Sequence, residues 1–201
     1  TTTTTTTTNN SIKAKKFNNS DTFFEQSDGK YPTNSRLRIN NASGQMNGLS
    51  VAYGSFNGNE LDAIISGGVD KVLRVYDLTG APRGQFEFSA PILAIETFGS
   101  LISCTFMDGG HALVDLATNE TQIYKTHTKY VISTGWSKNG DYLYTCSHDK
   151  SIAIFHVQRT IETTTLELVK KLYFNETPEC ACFVPTDTIL TTLHESLTEH
   201  H

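Results

Sequence analysis

The sequence predicts an all-β fold that is assembled from a repeated unit of about 40 residues. From Ser35 onward, short runs rich in Val, Ile, Leu, Tyr, Phe and Thr are separated at regular intervals by Gly, Asn, Asp and Pro. This pattern is typical of an all-β sandwich, barrel or propeller. A second observation, an internal repeat in the middle of the chain, narrows the choice to folds made of successive similar strand groups.

The individual strands are predicted from their length and from their β-branched and aromatic residues. Residues 161–172 (IETTTLELVKKL) could also form a helix, but three consecutive threonines disfavour it. The predicted strands are 36–39, 49–54, 62–66, 72–78, 84–88, 92–97, 101–106, 111–116, 121–125, 131–136, 142–147, 151–157, 167–174, 180–184 and 189–193.

The repeat consists of the end of one strand, a tight turn that contains Asp, and a second strand. The aligned segments are SGGVDKVLRVYDL (66–78), TFMDGGHALVDL (105–116) and TCSHDKSIAIFHV (145–157). Two sets of positions recur with the same spacings of 38 and 41 residues. They are the turn aspartates Asp70, Asp108 and Asp149, and the strand residues Tyr76, Val114 and Phe155. A period of about 40 residues with four strands per unit is the spacing of β-propeller blades.

Two of these segments resemble the WD-repeat β-propeller family. ISGGVDKVLRVYDL and TCSHDKSIAIFHV are similar to that family's S-x-S-x-D-x-x-[IVL]-x-[IVL]-[WYF]-D stretch, and Tyr76-Asp77 stands in place of the Trp-Asp dipeptide. His127 stands where the family's Gly-His dipeptide ends, although Thr126 replaces the Gly. The resemblance covers about residues 49–193.

The resemblance implies a partial WD-repeat propeller over residues 35–201. The expected blades are about 49–89, 90–126, 127–175 and 176–201, the last truncated after two strands, so the chain is expected to be a piece of a longer protein. Residues 1–34 are expected to form a disordered tail. Of the first 47 residues, 23 are Thr, Asn or Ser, which leaves too little apolar surface to offset the entropy of ordering.

The resemblance also implies a hydrogen-bonded network in the best-formed unit. In this family a buried His, a hydroxyl and the turn Asp bond to one another, because a buried carboxylate without partners is costly. The matching residues are His127, Thr145 or Ser147, and Asp149. The other turn aspartates, Asp70 and Asp108, are expected to be structural as well.

Composition excludes several classes of protein. The net charge is −5 and no basic stripe appears, which argues against nucleic acid as the main partner. No apolar run approaches the ~20 residues that a membrane helix needs. Four cysteines in 201 residues do not make a disulfide scaffold. Cys180 and Cys182 are expected to be buried thiols on one side of a strand, and a reducing, intracellular compartment, cytoplasmic or nuclear, is favoured.

The favoured function is a non-catalytic scaffold that mediates protein–protein interactions in a multi-subunit complex. No phosphate-binding loop, nucleophile elbow or paired nucleophile and base appears, so no enzyme activity and no cofactor are expected. The resemblance implies that partners bind the face that carries the turns. By position, the candidate contacts are Lys71, Lys129, His148 and Lys150.

Two alternatives involve a chemical site. Phe56 to Asp62 resembles the calcium-binding stretch of FG-GAP propellers, but its Asn residues are weak ligands and Glu60 and Asp62 are its only carboxylates. A solvated loop is therefore favoured there. A hydrolase with its catalytic residues in missing blades is the other alternative. The polar segment His194 to His201 is expected to form a turn rather than a metal site, because its spacing is not H-E-x-x-H.

Overall fold

The computed structural model of this chain describes most residues after Ser43 and three short strand segments before it. The described residues are 13–14, 23–25, 36–37, 44–53, 55–56, 59–60, 62–161, 163–184, 189–193 and 197–200. Apart from 13–14 and 23–25, the expected tail of residues 1–34 lies outside this set, so its disorder stays a prediction.

Every regular element in the described residues is a β-strand, which confirms the all-β prediction. The strands are β1 (Lys13–Ala14), β2 (Phe23–Glu25), β3 (Arg36–Leu37), β4 (Met46–Ala52), β5 (Ser55–Phe56), β6 (Asn59–Glu60), β7 (Ala63–Gly68), β8 (Val72–Asp77), β9 (Pro82–Glu87), β10 (Ile92–Phe98), β11 (Leu101–Phe106), β12 (Gly110–Asp115), β13 (Glu120–Lys125), β14 (Val131–Trp136), β15 (Tyr142–Ser147), β16 (Ser151–Arg159), β17 (Thr164–Tyr173), β18 (Pro178–Phe183), β19 (Ile189–Leu193) and β20 (Leu197–His200).

Four antiparallel sheets follow one another from β4 onward and are called blades 1 to 4. Their strand orders are β4-β7-β8-β9, β10-β11-β12-β13, β14-β15-β16-β17 and β18-β19-β20. Strands β5 and β6 pair with each other between the first two strands of blade 1. This succession of small meandering sheets is the architecture of a β-propeller, as predicted.

A separate unit contains β1, β2 and β3, which form their own antiparallel sheet. Lys13 is paired with Glu25, and Phe23 with Leu37.

Neighbouring blades meet through their first strands. Strand β4 lies beside β10, β10 beside β14, and β14 beside β18. The pairing of the first strand with the second shifts register near its start in all four blades. A shift of this kind bends and twists a strand, and its recurrence at one position is the structural counterpart of the sequence repeat.

The apolar core lies between the blades. Cys104 of blade 2 packs in one cluster with Leu73 of blade 1, and Leu113 of blade 2 packs in another with Phe155 of blade 3. The second and third strands of a blade are covered on both faces, so β11 (LISCTF) is buried along its whole length. The outermost strand β13 (ETQIYK) instead alternates between exposed and half-buried residues. Each blade therefore needs neighbours to bury its faces.

The helix alternative for residues 161–172 is wrong, because Thr164–Tyr173 forms strand β17. Thr164 and Thr165 are β-branched and favour strands, and β17 pairs with β16 from Thr164 to Tyr173.

Two expectations about blade 4 are also wrong. Leu197–His200 is a third strand, paired with β19, where a polar turn and a two-stranded end were expected. Cys180 and Cys182 are exposed rather than buried. The intervening Ala181 packs into the core that blade 4 shares with blade 3, and side chains alternate along a strand, so both thiols point the other way.

Candidate functional site

The turns between the second and third strands of blades 1, 2 and 3 share one backbone geometry. In each, the Asp carboxylate accepts a hydrogen bond from the N–H two residues later, at 3.4, 3.0 and 3.1 Å. The residue after the Asp has a positive φ of 66°, 89° and 67°. In chain order the aspartates are Asp70, Asp108 and Asp149, and the positive-φ residues are Lys71, Gly109 and Lys150. Asp favours such turns because its short side chain can bond nearby backbone.

Two backbone hydrogen bonds fix each turn to the segments that flank its blade. The residue before the Asp donates to the carbonyl that precedes the first strand: Val69 to Gln45, Met107 to Pro91, and His148 to Tyr130. The residue after the Asp accepts from the segment that follows the fourth strand: Phe88 to Lys71, His127 to Gly109, and Phe174 to Lys150. We call this end of the blades the top face; it comprises 69–71, 107–109, 148–150, 88–91, 126–130 and 174–177.

Blade 3 carries a buried side-chain network on the top face, centred on His127. The Nδ1 of His127 lies 3.2 and 3.1 Å from the two carboxylate oxygens of Asp149, and its Nε2 lies 2.9 Å from Oγ1 of Thr145. Asp149 also accepts hydrogen bonds from the N–H of Thr128, at 3.1 Å, and from the hydroxyl of Ser151. The structure thus brings His127, Thr145 and Asp149 together.

The network holds a neutral imidazole against an ionised carboxylate. Burial lowers the pKa of His127 more than the nearby Asp149 raises it, so this pKa lies below 6.5. The neutral ring then donates from Nδ1 to Asp149 and accepts at Nε2 from the Thr145 hydroxyl. Burial acts to raise the pKa of Asp149, but the hydrogen bonds from Ser151 and Thr128 and the contact with His127 outweigh it and lower the pKa to about 2.

Ser147, the other predicted hydroxyl, does not contact His127. Its Oγ lies 3.0 Å from the carbonyl oxygens of both Lys129 and Tyr130, and accepts a hydrogen bond from the N–H of Asp149 at 3.1 Å. Ser147 therefore links the turn to the connection that precedes blade 3.

Two members of the blade 3 network were not predicted. Ser151 follows Asp149 by two residues, and that spacing could have indicated it. The Nζ of Lys171 donates to the Thr126 carbonyl at 2.7 Å and lies 3.4 Å from Asp149. Lys171 belongs to the outermost strand of blade 3, and nothing in the repeat points to it.

The other two turn aspartates have different partners. Asp70 accepts a hydrogen bond from Nη1 of Arg74 at 2.7 Å, and both side chains are largely buried. Asp108 pairs with Nζ of Lys125 at 2.8 Å, with 44% of the Asp108 side chain and 60% of the Lys125 side chain exposed. Neither Arg74 nor Lys125 was predicted from the sequence.

The four predicted partner contacts all lie on the top face. Lys71, Lys129 and Lys150 are exposed, and Nζ of Lys150 donates to a backbone carbonyl of the following connection at 2.8 Å. The ring of His148 stacks on Tyr130, with 4.6 Å between ring centroids. Their role in binding stays a prediction.

Two pockets open on the top face. One, of about 620 Å³, extends across blades 1 to 3, and its apolar lining consists of Met46, Val69, Leu93, Met107, Tyr130 and Ile132. The other, of about 590 Å³, lies where blades 3 and 4 meet and is lined by Ile132, His148, Lys150, Glu176, Thr177 and Glu179. The pockets share Ile132, so they are adjacent.

His111 of β12 is a buried residue that the sequence reasoning passed over. It is fully buried between Tyr124 and Phe155, with ring centroids at 5.1 and 4.8 Å. Neither ring nitrogen has a hydrogen-bond partner among the described residues. Burial, and secondarily the neighbouring His127, lowers the pKa of His111 to about 3.

The calcium alternative lies largely outside the described residues. In the segment from Phe56 to Asp62, residues 57, 58 and 61 are not described, and Asp62 is exposed. Within the described part of the chain, no group of three or more His, Cys, Asp or Glu side chains is placed to hold a metal ion. The described residues include no helix that is long and apolar enough to cross a membrane.

Known proteins resemble this chain in one repeat and in its fold. The WD40 family, described as WD domain, G-beta repeat, matches residues 118–156, which include His127, Thr145 and Asp149. The computationally designed Ika4 protein superimposes with a TM-score of 0.66 at 15% identity, covering 83% of this chain and 96% of its own. The computationally designed Ika8 protein superimposes with a TM-score of 0.69 at 14% identity, and the match covers 92% of this chain and 57% of the Ika8 chain. Comparison with curated proteins found no match.

Proposed function

We propose that this chain, a WD-repeat-like β-propeller, is a non-catalytic scaffold that binds other proteins through its top face within a multi-subunit assembly. One observation carries the proposal: exposed apolar side chains, exposed lysines and two adjacent pockets lie together on that face. A fold alone does not specify function, so the function is inferred from this surface.

The apolar surface of the top face is larger than its local folding needs. Val69, Met107 and Tyr130 are between 36% and 57% exposed, although each belongs to a turn or connection that is held by backbone hydrogen bonds. Contiguous exposed apolar surface with a polar rim is typical of protein interaction sites. A partner would remove this surface from water.

The blade 3 network supports the proposal by fixing the connection before blade 3 to the turns of blades 2 and 3. His127 and Thr128 bond to the blade 3 turn through Asp149, and the backbone N–H of His127 also donates to the Gly109 carbonyl of the blade 2 turn at 3.2 Å. A preformed surface pays less entropy on binding than a mobile one. We therefore assign this network a structural role that serves docking.

A cytoplasmic or nuclear location is part of the proposal. All four cysteines are free, and burial raises the pKa of Cys146 to about 12, which keeps its thiol protonated and inert. Free thiols persist in reducing compartments.

Affinity purification with a charge-reversed top face tests this function. The variant Lys71→Glu/Lys129→Glu changes two exposed lysines of the top face. The matched control, Lys138→Glu/Lys170→Glu, makes the same change in charge on a loop at the opposite end of blade 3 and on its outermost strand. We expect the first variant to lose proteins that the wild type and the control both retain, as measured by quantitative mass spectrometry. Equal recovery by both variants would contradict the proposal.

A further inference from the structure

Both methionines of the sequence line the same top-face pocket. Met46 begins β4 and Met107 lies in the blade 2 turn, and their side chains are 40% and 57% exposed. Methionine is flexible and polarizable, so it adapts to varied apolar partners and is frequent at binding surfaces. The remaining apolar lining comes from Val69, Leu93, Tyr130 and Ile132. This pocket suits an apolar side chain of variable shape.

Charged side chains near the pocket indicate which charge its occupant should carry. The turn carboxylates are already paired with cations, Asp70 with Arg74 and Asp108 with Lys125. Within the described part of the chain, Lys71 and Lys129 form no ion pair and are exposed. Lys71 is two residues from Val69 of the pocket, and Lys129 precedes Tyr130. Two exposed cations therefore lie next to pocket residues in the chain, although the whole chain has a net charge of −5 and Glu176 and Glu179 line the adjacent pocket.

The wall of the pocket is fixed on one side and adaptable on the other. Tyr130 stacks on His148 and its carbonyl accepts from the N–H of His148 at 3.1 Å. On the other side, the Met107 backbone is held by its bond to the Pro91 carbonyl, but the Met107 side chain is 57% exposed and intrinsically flexible. This combination lets the pocket keep its position while it fits different side chains.

We propose that the Met46–Met107 pocket takes an apolar side chain of an acidic segment in a partner protein, with Lys71 and Lys129 contacting the flanking carboxylates. The inference rests on the scaffold function and specifies its partner. The basic N-terminal residues of the chain itself fit less well, since residues 1–38 hold six Lys and Arg against three Asp and Glu.

Synthetic peptides measured by fluorescence anisotropy test this pocket with the full 201-residue chain. One panel carries a central Leu, Met or Phe flanked on both sides by Asp or Glu. The second panel has the same centres flanked by Lys or Arg, and the third has acidic flanks around a central Ala. We expect the first panel to bind about tenfold more tightly than the other two, with an affinity that falls as salt is added.

Four variants locate the binding to the pocket. Met107→Asp should weaken binding of the first panel about tenfold, and Met107→Leu should retain it. Lys129→Glu should weaken binding by a smaller factor. Ile123→Asp, on the outermost strand of blade 2 where Ile123 is 65% exposed, is the matched control and should bind like the wild type.

Three results would each overturn the inference without reference to partner recovery. They are equal binding of acidic and basic panels, equal affinity of Met107→Asp and Ile123→Asp, and a concentration-dependent dimer in gel filtration that Met107→Asp dissolves, because the occupant would then be a second copy. Loss of partners by Lys71→Glu/Lys129→Glu with no peptide binding would refute this inference and leave the scaffold function standing. Specific peptide binding with unchanged partner recovery would refute the scaffold function alone.

Discussion

The turns of blades 3 and 2 hold an aspartate at the same repeat position in opposite ways. Asp149 is buried among His127, Ser151 and the Thr128 N–H, and its side chain is 6% exposed. The Asp108 side chain is 44% exposed and pairs with the exposed end of Lys125. The backbone of the two turns is nevertheless the same, down to the bond from the N–H two residues later.

The difference shows that the bond within the turn and the partner from outside the turn are determined by different residues. The bond within each turn follows from Asp in a tight turn, so it recurs in every blade. The distant partner depends on which residue a neighbouring strand or connection supplies. Removing one partner of a buried charged pair leaves the other unpaired and costs more than breaking an exposed pair, so truncations in the three turns should differ in how much they destabilise the chain.

The largest expected effect is that of Asp149→Ala. This change leaves the His127 ring, the Thr128 N–H and the Lys171 ammonium without their shared acceptor, and breaking a buried network of this kind costs about 3 kcal/mol of unfolding free energy. Urea denaturation followed by circular dichroism measures it. Asp149→Asn keeps an acceptor oxygen and should lose less unfolding free energy than Asp149→Ala. The account would be contradicted if Asp149→Ala lost no more unfolding free energy than Asp108→Ala.

Asp70→Ala should have an intermediate effect. Arg74 is 13% exposed, and removal of a partly buried charged partner costs about 2 kcal/mol. A double-mutant cycle with Arg74→Leu separates the ion pair from other contacts of Asp70. A coupling free energy near zero would show that Arg74 is not the stabilising partner.

His111→Phe should stabilise the chain and change its response to acid. A phenyl ring fills the site without two unpaired nitrogens, which should add about 1 kcal/mol to the unfolding free energy at pH 7. The folded pKa of His111 is about 3 against an ordinary 6.5, so the unfolded chain binds more protons between these values and wild-type stability falls as pH drops below 6.5. We expect His111→Phe to flatten this decline in denaturant midpoints measured from pH 7 to pH 4.

The control for this experiment is His156→Gln, which removes one imidazole from a partly exposed position on β16. It should keep the wild-type pH dependence. If His111→Phe and His156→Gln gave the same pH profile, the unpaired ring of His111 would not be the source of acid sensitivity.

The smallest expected effect is that of Asp108→Ala. Its ion pair with Lys125 is exposed on both sides, and such pairs contribute about 0.5 kcal/mol or less. Asp108→Ala also removes the bond from the Gly110 N–H within the turn, and Lys125→Ala keeps that bond. Both variants should melt within a few degrees of the wild type, with Lys125→Ala the closer of the two. A loss comparable to that of Asp149→Ala would erase the distinction between the blades.

The strands and the turn aspartates could be predicted because both depend on short-range pattern. Alternating or continuous apolar runs fix the strands, and a recurring Asp marks each turn. The choice between Thr145 and Ser147 could not be made, because residues two apart on a strand share one face. In the structure Thr145 is the partner, because its Oγ1 lies 2.9 Å from Nε2 of His127.

Partners supplied by long side chains were missed for a related reason. Lys125 reaches Asp108 because it lies opposite Gly110 in the pairing of β12 with β13, and that register is not readable from the repeat. The apolar run around Cys180 and Cys182 predicts buried thiols, but which side chains of the strand are buried depends on the face that the neighbouring blade covers. Local sequence therefore predicted the elements, and packing between blades decided the site.

Hydrogen–deuterium exchange of the chain, alone and with the partner recovered by affinity purification, tests the proposed interaction surface most directly. We predict that the partner slows exchange at backbone amides of 69–71, 107–109 and 128–130, and leaves unchanged the loops at the opposite end of the blades, 99–100 and 138–140. Slowed exchange at 99–100 and 138–140, with no change in the three turns and connections above, would contradict the account.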